Sequence, residues 1–236
     1  MRLDKLLANS GFGSRTDVKK LLKKGIVQVN GEKVKDGKVQ VDEKHDEITV
    51  NGKQVTYREF IYIMLNKPKG VISATEDSRE KTVVDLLEDD YRLFDPFPVG
   101  RLDKDTEGLL LLTNDGKLAH ELLAPKKKVD KKYWAKIDGF VTEEDIIQFA
   151  KGVTLEDGYV TMPATLHILE AGPISEIEVT ITEGKFHQVK RMFLAVGKKV
   201  MELKRLEMGP LHLDPSLRLG DYRELTDEEL VLLQDR

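Results

Sequence analysis

The sequence predicts an α+β protein in two parts: a small N-terminal α/β domain over residues 1–57, then a mainly antiparallel sheet with flanking helices over residues 58–236. Three observations predict this. Segments with strand-type alternation outnumber those with helical spacing, Asn-Gly and other glycine turns join many of them, and the composition changes at Phe60, where an apolar run begins. A chain of 236 residues has room for one substantial core and an accessory domain.

In the first part, Leu3, Leu6, Leu7 and Ala8 line one helical face before Gly11 and Gly13 break the run. Ser14 with Asp17 opens a second helix with Val18, Leu21 and Leu22 inward and Arg15, Lys19, Lys20, Lys23 and Lys24 outward. Val27-Gln28-Val29 and Ile48-Thr49-Val50 alternate as strands, and each is followed by an Asn-Gly hairpin signal, at Asn30-Gly31 and Asn51-Gly52. On charge pattern alone, the lysine-rich surface reads equally as a solvated face or as a device for tracking phosphates.

The boundary falls near Thr56 to Phe60. Ile61 to Leu65 reads as an apolar strand running into the turn Asn66-Lys67-Pro68-Lys69-Gly70. Thr82 to Leu87 reads as a short helix, Phe94 to Pro98 as a rigid loop, and Leu109 to Leu112 as a buried strand. Asn114 and Asp115 can cap a helix reaching about Leu123, and Tyr133, Ala135 and Ile137 alternate along another strand. Thr142 with Asp145 opens a helix containing Ile146, Ile147 and Phe149. Glu176 to Thr182 alternates strictly, so one face of that strand meets solvent. Thr226 with Glu229 caps a terminal helix carrying Leu230, Leu232 and Leu233.

Composition narrows the chemistry. With 40% hydrophobic and 34% charged residues the chain can bury a core beneath a charged surface. It has no cysteine, which removes disulfides, thiolate nucleophiles and cysteine-ligated metals. The absence of an apolar leader and of a membrane-length apolar stretch reads as a soluble, unprocessed, cytoplasmic protein. Its net charge of -4 is unevenly spread: residues 1–58 hold 13 Lys and Arg against 8 Asp and Glu, a basic head on an acidic body. Phosphate-loop, HExxH and GxSxG motifs are missing, and the five histidines lack ligand spacing, so neither metal nor nucleotide cofactor is expected.

Two segments could carry chemistry. In Gly100-Arg101-Leu102-Asp103-Lys104-Asp105-Thr106-Glu107-Gly108, Asp103 sits on a polar loop immediately before the buried leucine strand. Taken alone, this is more simply a surface loop whose charges pair with one another. In Glu183 to Phe193, the apolar positions Val189, Met192 and Phe193 share a helix face with Val196. That leaves His187, Lys190 and Arg191 as a cationic group able to pair with a carboxylate or phosphate. Lys126-Lys127-Lys128 and Lys131-Lys132, next to Tyr133 and Trp134, suit a single strand that is both neutralised and stacked upon, although most such runs are solvated loops.

Motif order adds a resemblance. Arg2-Leu3-Asp4-Lys5-Leu6-Leu7, Gly11, Ser14-Arg15, Gly25 and Val27 to Gly31 resemble the S4 RNA-binding domain. That resemblance implies that Arg2, Lys5, Arg15, Lys19 and Lys20 contact folded RNA through its backbone and shape. Gly100 to Asp103, Thr106, Gly108 to Gly116, Leu65 to Gly70, Lys132-Tyr133, Glu183 to Met192 and Gly209-Pro210-Leu211 resemble the RsuA family of rRNA pseudouridine synthases in the same order. The resemblance implies cofactor-free isomerisation of a uridine in structured RNA, in which the bond from ribose C1′ moves from uracil N1 to C5.

It further implies that Asp103 is the essential carboxylate, which attacks C1′, adds to C6 of the ring or begins a glycal route by attracting the 2′ proton, with Lys190 its ion-pair partner and Tyr133 the ring that stacks on the base and assists proton removal at C5. Arg101 fills the space left by a flipped uridine or binds the backbone beside it. His187, Gln188 and Arg191 belong to the element resembling the branch that modifies 16S rRNA, at uridine 516 in standard rRNA numbering. The expected partner is then 16S rRNA or a small-subunit assembly intermediate, bound by a monomer. Large-subunit (23S) modification, a non-catalytic S4-type RNA-binding or ribosome-assembly protein, and a carboxylate sugar hydrolase using Asp103 with Asp105 or Glu107 are the competing readings.

Overall fold

In the first part of the chain, leucine spacing and a capping box specify two short helices. In a computed structural model, which describes residues 1–55 and 57–234, these are α1 (Leu3–Asn9) and α2 (Arg15–Lys23). The Ser14 side chain accepts from the Asp17 backbone N–H while the Asp17 carboxylate accepts from that of Ser14, so orphan donors at the start of α2 are met reciprocally. Leu3, Leu6, Leu7, Val18 and Leu22 pack on Val27, Val41, Ile48 and Val50.

β1 (Val27–Val29), β2 (Glu32–Lys33), β3 (Ile48–Val50) and β4 (Lys53–Gln54) form an antiparallel sheet in the order β2-β1-β3-β4. Both Asn-Gly pairs turn with positive φ, as tight hairpins require: 51° and 83° at Asn30-Gly31, 52° and 77° at Asn51-Gly52.

This compact unit comprises Met1–Ile61 together with Leu87–Pro96. The second segment carries α3 (Asp89–Arg92), and Leu93 lies close against Gly11. Local pattern gives no sign of that excursion, because a contact such as Leu93 with Gly11 joins residues far apart in sequence. Thr56, at the near edge of the expected boundary, lies outside the described residues.

The other unit, Tyr62–Leu86 with the chain from Phe97 onward, is built on a mixed sheet. Its path is β13 (Tyr222–Glu224), β5 (Tyr62–Lys67), β7 (Glu107–Thr113), β11 (Lys199–Met208), β8 (Lys131–Asp138), β10 (Ile174–Ile181) and β9 (Thr165–Glu170). β6 (Phe97–Pro98) pairs with β7, and β12 (Leu211–His212) with β11. All pairs are antiparallel except β7 with β11. Where those two meet, Gly108 has φ +104°, and a Cβ there would lie 2.2 Å from the Arg205 carbonyl oxygen, so only glycine permits the approach.

α4 (Gly116–Leu123) starts where the Asp115 carboxylate accepts from the backbone N–H groups of Lys117 and Leu118. α5 (Glu143–Lys151) carries the Thr142–Asp145 capping box. α6 (Gln188–Ala195) buries Val189, Met192 and Phe193. α7 (Asp227–Gln234) follows Thr226, whose hydroxyl accepts from the Glu229 backbone N–H. The helix expected over Thr82 to Leu87 is a single 3-10 turn at Val84–Leu86: reciprocal Thr82–Asp85 hydrogen bonds open it, but it does not propagate into an α-helix.

β8 sorts the side chains of the sheet. Tyr133, Ala135 and Ile137 are buried on one face, while Lys132 and Lys136 on the other sit among glutamates of the neighbouring strands. Lys132 lies 2.8 Å from Glu178 and 3.5 Å from Glu207, and Lys136 lies 3.8 Å from Glu176 and 3.9 Å from Glu202. Among the described residues no helix is long and apolar enough to cross a membrane.

Candidate active site

The segment leaving β5 fixes the acidic loop. Lys67, at the end of an otherwise apolar strand, is fully buried, and its ammonium donates to the carbonyl oxygens of Pro68, Asp103 and Thr106, each at 3.0 Å. All three of its donors are thereby used. Burial lowers its pKa from 10.5 to about 8. The Gly70 N–H donates to the Lys104 carbonyl at 2.8 Å, and the Ser73 hydroxyl donates to the Leu102 carbonyl and accepts from its N–H. The backbone of the Asp103 loop is therefore held from one side by residues 67–73.

Its charged side chains are held from elsewhere. The Lys190 ammonium, on α6, donates to Asp103 Oδ2 at 3.0 Å and to Asp105 Oδ1 at 2.5 Å. His187 Nε2 lies 3.5 Å from Asp103 Oδ1, so each oxygen of this carboxylate faces a side-chain nitrogen of the 187–190 segment. Lys104 turns away and pairs with Glu80 at 2.6 Å. The loop's charges do not neutralise one another as a plain surface turn would; Asp103 and Asp105 share a lysine from a helix 85 or more residues along the chain. Partial burial alone would lower the Lys190 pKa, but its hydrogen bonds to Asp105 and Asp103 and their charges outweigh this and raise it. Burial would raise the Asp105 pKa, yet the hydrogen bond from Lys190 lowers it overall.

Asp103 opens onto a cavity of about 430 Å³ lined by Arg101, Tyr133, Gln188, Lys190 and Arg205, among others. Tyr133 is buried in its wall and Arg101 is exposed. Gln188 is buried: its side-chain N–H donates to Glu183 Oε1 at 2.8 Å and its side-chain oxygen accepts from the Lys185 N–H. Glu183 also accepts from the Tyr159 hydroxyl at 2.6 Å and the Met162 N–H at 2.9 Å, which ties down the loop before α6. At the end of that loop His187 has φ 48°, and its ring stacks on that of Phe186 with centroids 3.8 Å apart.

The cationic trio expected on α6 is divided. Lys190 and His187 face Asp103, but Arg191 points to Glu156 and Asp157, at 2.7 and 2.5 Å, and is not part of the cavity wall. The lysine run splits likewise. Lys131 lines the cavity, Lys132 is on the opposite face of β8, and Lys126, Lys127 and Lys128 are exposed.

Of the cations on the N-terminal helices, Arg2 pairs with Asp4 at 2.6 Å and Lys20 with Asp17 at 2.9 Å. Lys5, Arg15 and Lys19 are exposed. Ser73 and Arg205 were not singled out from the sequence, and Lys67 and Glu183 entered only as members of the motifs Leu65 to Gly70 and Glu183 to Met192, with no role given; the signal for Arg205 is a charged residue inside an alternating strand.

Comparison with known proteins places this geometry. Residues 61–195 match the model of the RNA pseudouridylate synthase family, and residues 1–48 match the S4 domain. The chain is 57% identical to the uncharacterized RNA pseudouridine synthase YtzG of Bacillus subtilis (strain 168), over 100% of this chain and 99% of that protein. It is 43% identical to ribosomal large subunit pseudouridine synthase B of the same organism, covering 99% of this chain and 95% of that one. To ribosomal small subunit pseudouridine synthase A of Vibrio vulnificus (strain CMCP6) it is 40% identical, over 98% of each. A crystal structure of a pseudouridylate synthase, 38% identical, superposes with a TM-score of 0.69 over 99% of both chains. A matched family model over the catalytic unit and full-length relatives agree: this chain belongs to the RNA pseudouridylate synthase family and is an RNA pseudouridine synthase with an N-terminal S4 domain.

Proposed function

We propose that this enzyme converts one uridine of 16S rRNA, uridine 516 in standard numbering, to pseudouridine during small-subunit maturation, acting as a cytoplasmic monomer. One observation carries the assignment of the centre: the Asp103 carboxylate meets the Lys190 ammonium at 3.0 Å on a cavity that also contains Tyr133. A carboxylate acts as a nucleophile in its ionised form, and the Lys190 ammonium beside Asp103 is the complementary charge. In this reading Asp103 is the nucleophile, Lys190 pairs with it and aims it, and Tyr133 stacks on the flipped base and helps take the C5 proton. Arg101 occupies the gap left in the RNA, His187 and Gln188 border the base, and Arg191 braces the rim. Arg2, Lys5, Arg15, Lys19 and Lys20 dock the S4 domain on folded RNA.

The sugar-hydrolase alternative needs one carboxyl kept protonated as an acid. Asp105 is lowered in pKa and shares its cation with Asp103, which suits two anions instead. A purely binding role would leave no use for the shared lysine beneath the cavity.

The 16S target is supported by the small-subunit name of the Vibrio relative and by the His187-Gln188-Val189-Lys190-Arg191-Met192 element. A 23S target is the second reading, favoured by the 43% identity to the large-subunit enzyme. Mapping pseudouridines in both rRNAs of a deletion strain tests them. Loss of the 16S modification supports the first, and loss at a 23S site alone refutes it. With purified protein, Asp103→Asn is expected to abolish conversion while still binding RNA, and normal turnover by that variant would sink the catalytic assignment.

A further inference from the structure

Two cations rank highest among the largest fully buried side chains, Lys67 and Arg205. Lys67 is fully satisfied by three carbonyls. Arg205 is not. It is 2% exposed, its Nε donates to the Leu109 carbonyl at 2.8 Å, and its Nη2 is buried with no hydrogen-bond partner among the described residues. A guanidinium carries five donors, and burying it without an anion is costly, so its place in the fold calls for a partner the protein does not supply.

The surroundings identify that partner. Arg205 lines the cavity that holds Asp103. In the β8–β11 pairing it lies directly opposite Tyr133, and a register shift follows it before Glu207, a bulge of the kind that re-aims a side chain. Lys131, two residues before Tyr133 on β8, lines the same cavity and donates to the Val129 carbonyl at 2.8 Å. Leu203, Ile181, Val129 and Met208 make the rest of that wall apolar. A fixed positive charge in such a setting acts strongly on its neighbours because water does not screen it. The exposed Arg101 and Lys185 stand where a phosphate can reach, whereas this buried, half-apolar wall beside Tyr133 suits the edge of a flat heterocycle.

Pseudouridine formation creates an anion of that shape. The C1′–N1 bond breaks with its electron pair going to the base, and the charge spreads onto the C2 and C4 carbonyl oxygens. After the base turns, C5 bonds to C1′, and the proton lost from C5 is balanced by one gained at N1. We propose that Arg205 is a catalytic residue that donates to a carbonyl oxygen of the target uracil and stabilises the detached base as an anion while it turns. This rests on the pseudouridine synthase reading and adds to it a receptor for the leaving group, analogous to an oxyanion hole.

The test uses full-length Arg205→Met and Arg205→Lys with an RNA fragment carrying uridine or 5-fluorouridine at the target, under single turnover, with RNA affinity measured separately. Fluorine withdraws electrons and stabilises the departing anion without help. Arg205→Met is expected to slow glycosidic cleavage of uridine about 100-fold, to slow 5-fluorouridine distinctly less, and to leave affinity within about 3-fold, while Arg205→Lys recovers part of the rate. Equal losses on both substrates, or an unchanged rate, would overturn the proposal. Because Arg205 also holds the Leu109 carbonyl, a second measurement uses the wild-type enzyme on 2-thio- and 4-thiouridine. Weaker acceptance at sulfur should slow at least one of them, and conversion of both at the uridine rate also overturns it. Wild-type enzyme that converts no uridine would instead refute the underlying function.

Discussion

The Lys190 ammonium bridges two carboxylates, reaching Asp103 at 3.0 Å and Asp105 at 2.5 Å, and so joins α6 to the loop before β7. Lys190→Met leaves two neighbouring carboxylates without their common cation, so turnover should fall about 100-fold or more, with Lys190→Arg retaining part of it. The raised Lys190 pKa means the folded protein holds this proton more tightly than the unfolded chain. Its contribution to stability is then complete below about pH 10.5 and fades only as pH rises through the higher folded value. A rate–pH profile should show no alkaline limb near neutrality that disappears in Lys190→Arg.

Lys67 behaves in the opposite sense. Its pKa falls from 10.5 unfolded to about 8 folded, so between these values the unfolded chain binds more protons and stability rises with pH. Melting temperatures of the wild type and Lys67→Met, compared at intervals from pH 7 to 10.5, should show the wild type gaining on the variant above pH 8. A constant difference across that range would contradict the shift. The variant should also lose most activity, since the Asp103 and Thr106 carbonyls lose the donor that fixes them.

Arg191 neighbours Lys190 in sequence but not in role. Its partners Glu156 and Asp157 are more than half exposed, and such pairs contribute little. Arg191→Met is expected to keep the melting temperature within about 3 °C and turnover within about 3-fold of wild type, against the large loss in Lys190→Met. Single-turnover kinetics of the two variants side by side make the comparison.

Replacing Lys5, Arg15 and Lys19 together with glutamine in the full chain should weaken RNA binding. It should also lower the slope of log affinity against log salt, by about one for each phosphate contact removed. The chemical step, measured at saturating enzyme, should be nearly unchanged. An unaltered salt slope would remove these residues from the RNA interface.

Much of the fold was legible because its signals are local. The Ser14–Asp17 and Thr142–Asp145 boxes, both Asn-Gly hairpins, the Asp115 cap and the apolar face of α6 each lie within a few residues and appear where the spacing puts them. The Asp103 loop and Lys190 helix were visible as separate segments, and motif resemblance joined them. Long-range facts were not legible. Nothing in the alternation of β11 says that it runs parallel to β7, or that Leu87–Pro96 groups with the N-terminal residues. Spacing put Arg191 on the same helix face as Lys190, but acidic partners 34 and 35 residues earlier draw it elsewhere. The role of Lys67, quoted only within a motif, and Arg205 altogether escaped notice because their partners are carbonyls, which every residue has.

The reverse of the catalytic sheet, where Lys132 and Lys136 stand among Glu176, Glu178, Glu202 and Glu207, gives the domain an electrical front and back. Lys204, two residues after Glu202 and opposite Trp134, stands on the same face, so three positive charges meet four negative ones and that side offers a polyanion little net attraction. The net charge of -4 is therefore no measure of the charge at the cavity, whose wall includes Lys131, Lys190 and Arg205. Four of the glutamates that make the overall composition look unsuited to nucleic acid are spent on lysines of that far face, and the cavity keeps its own cations.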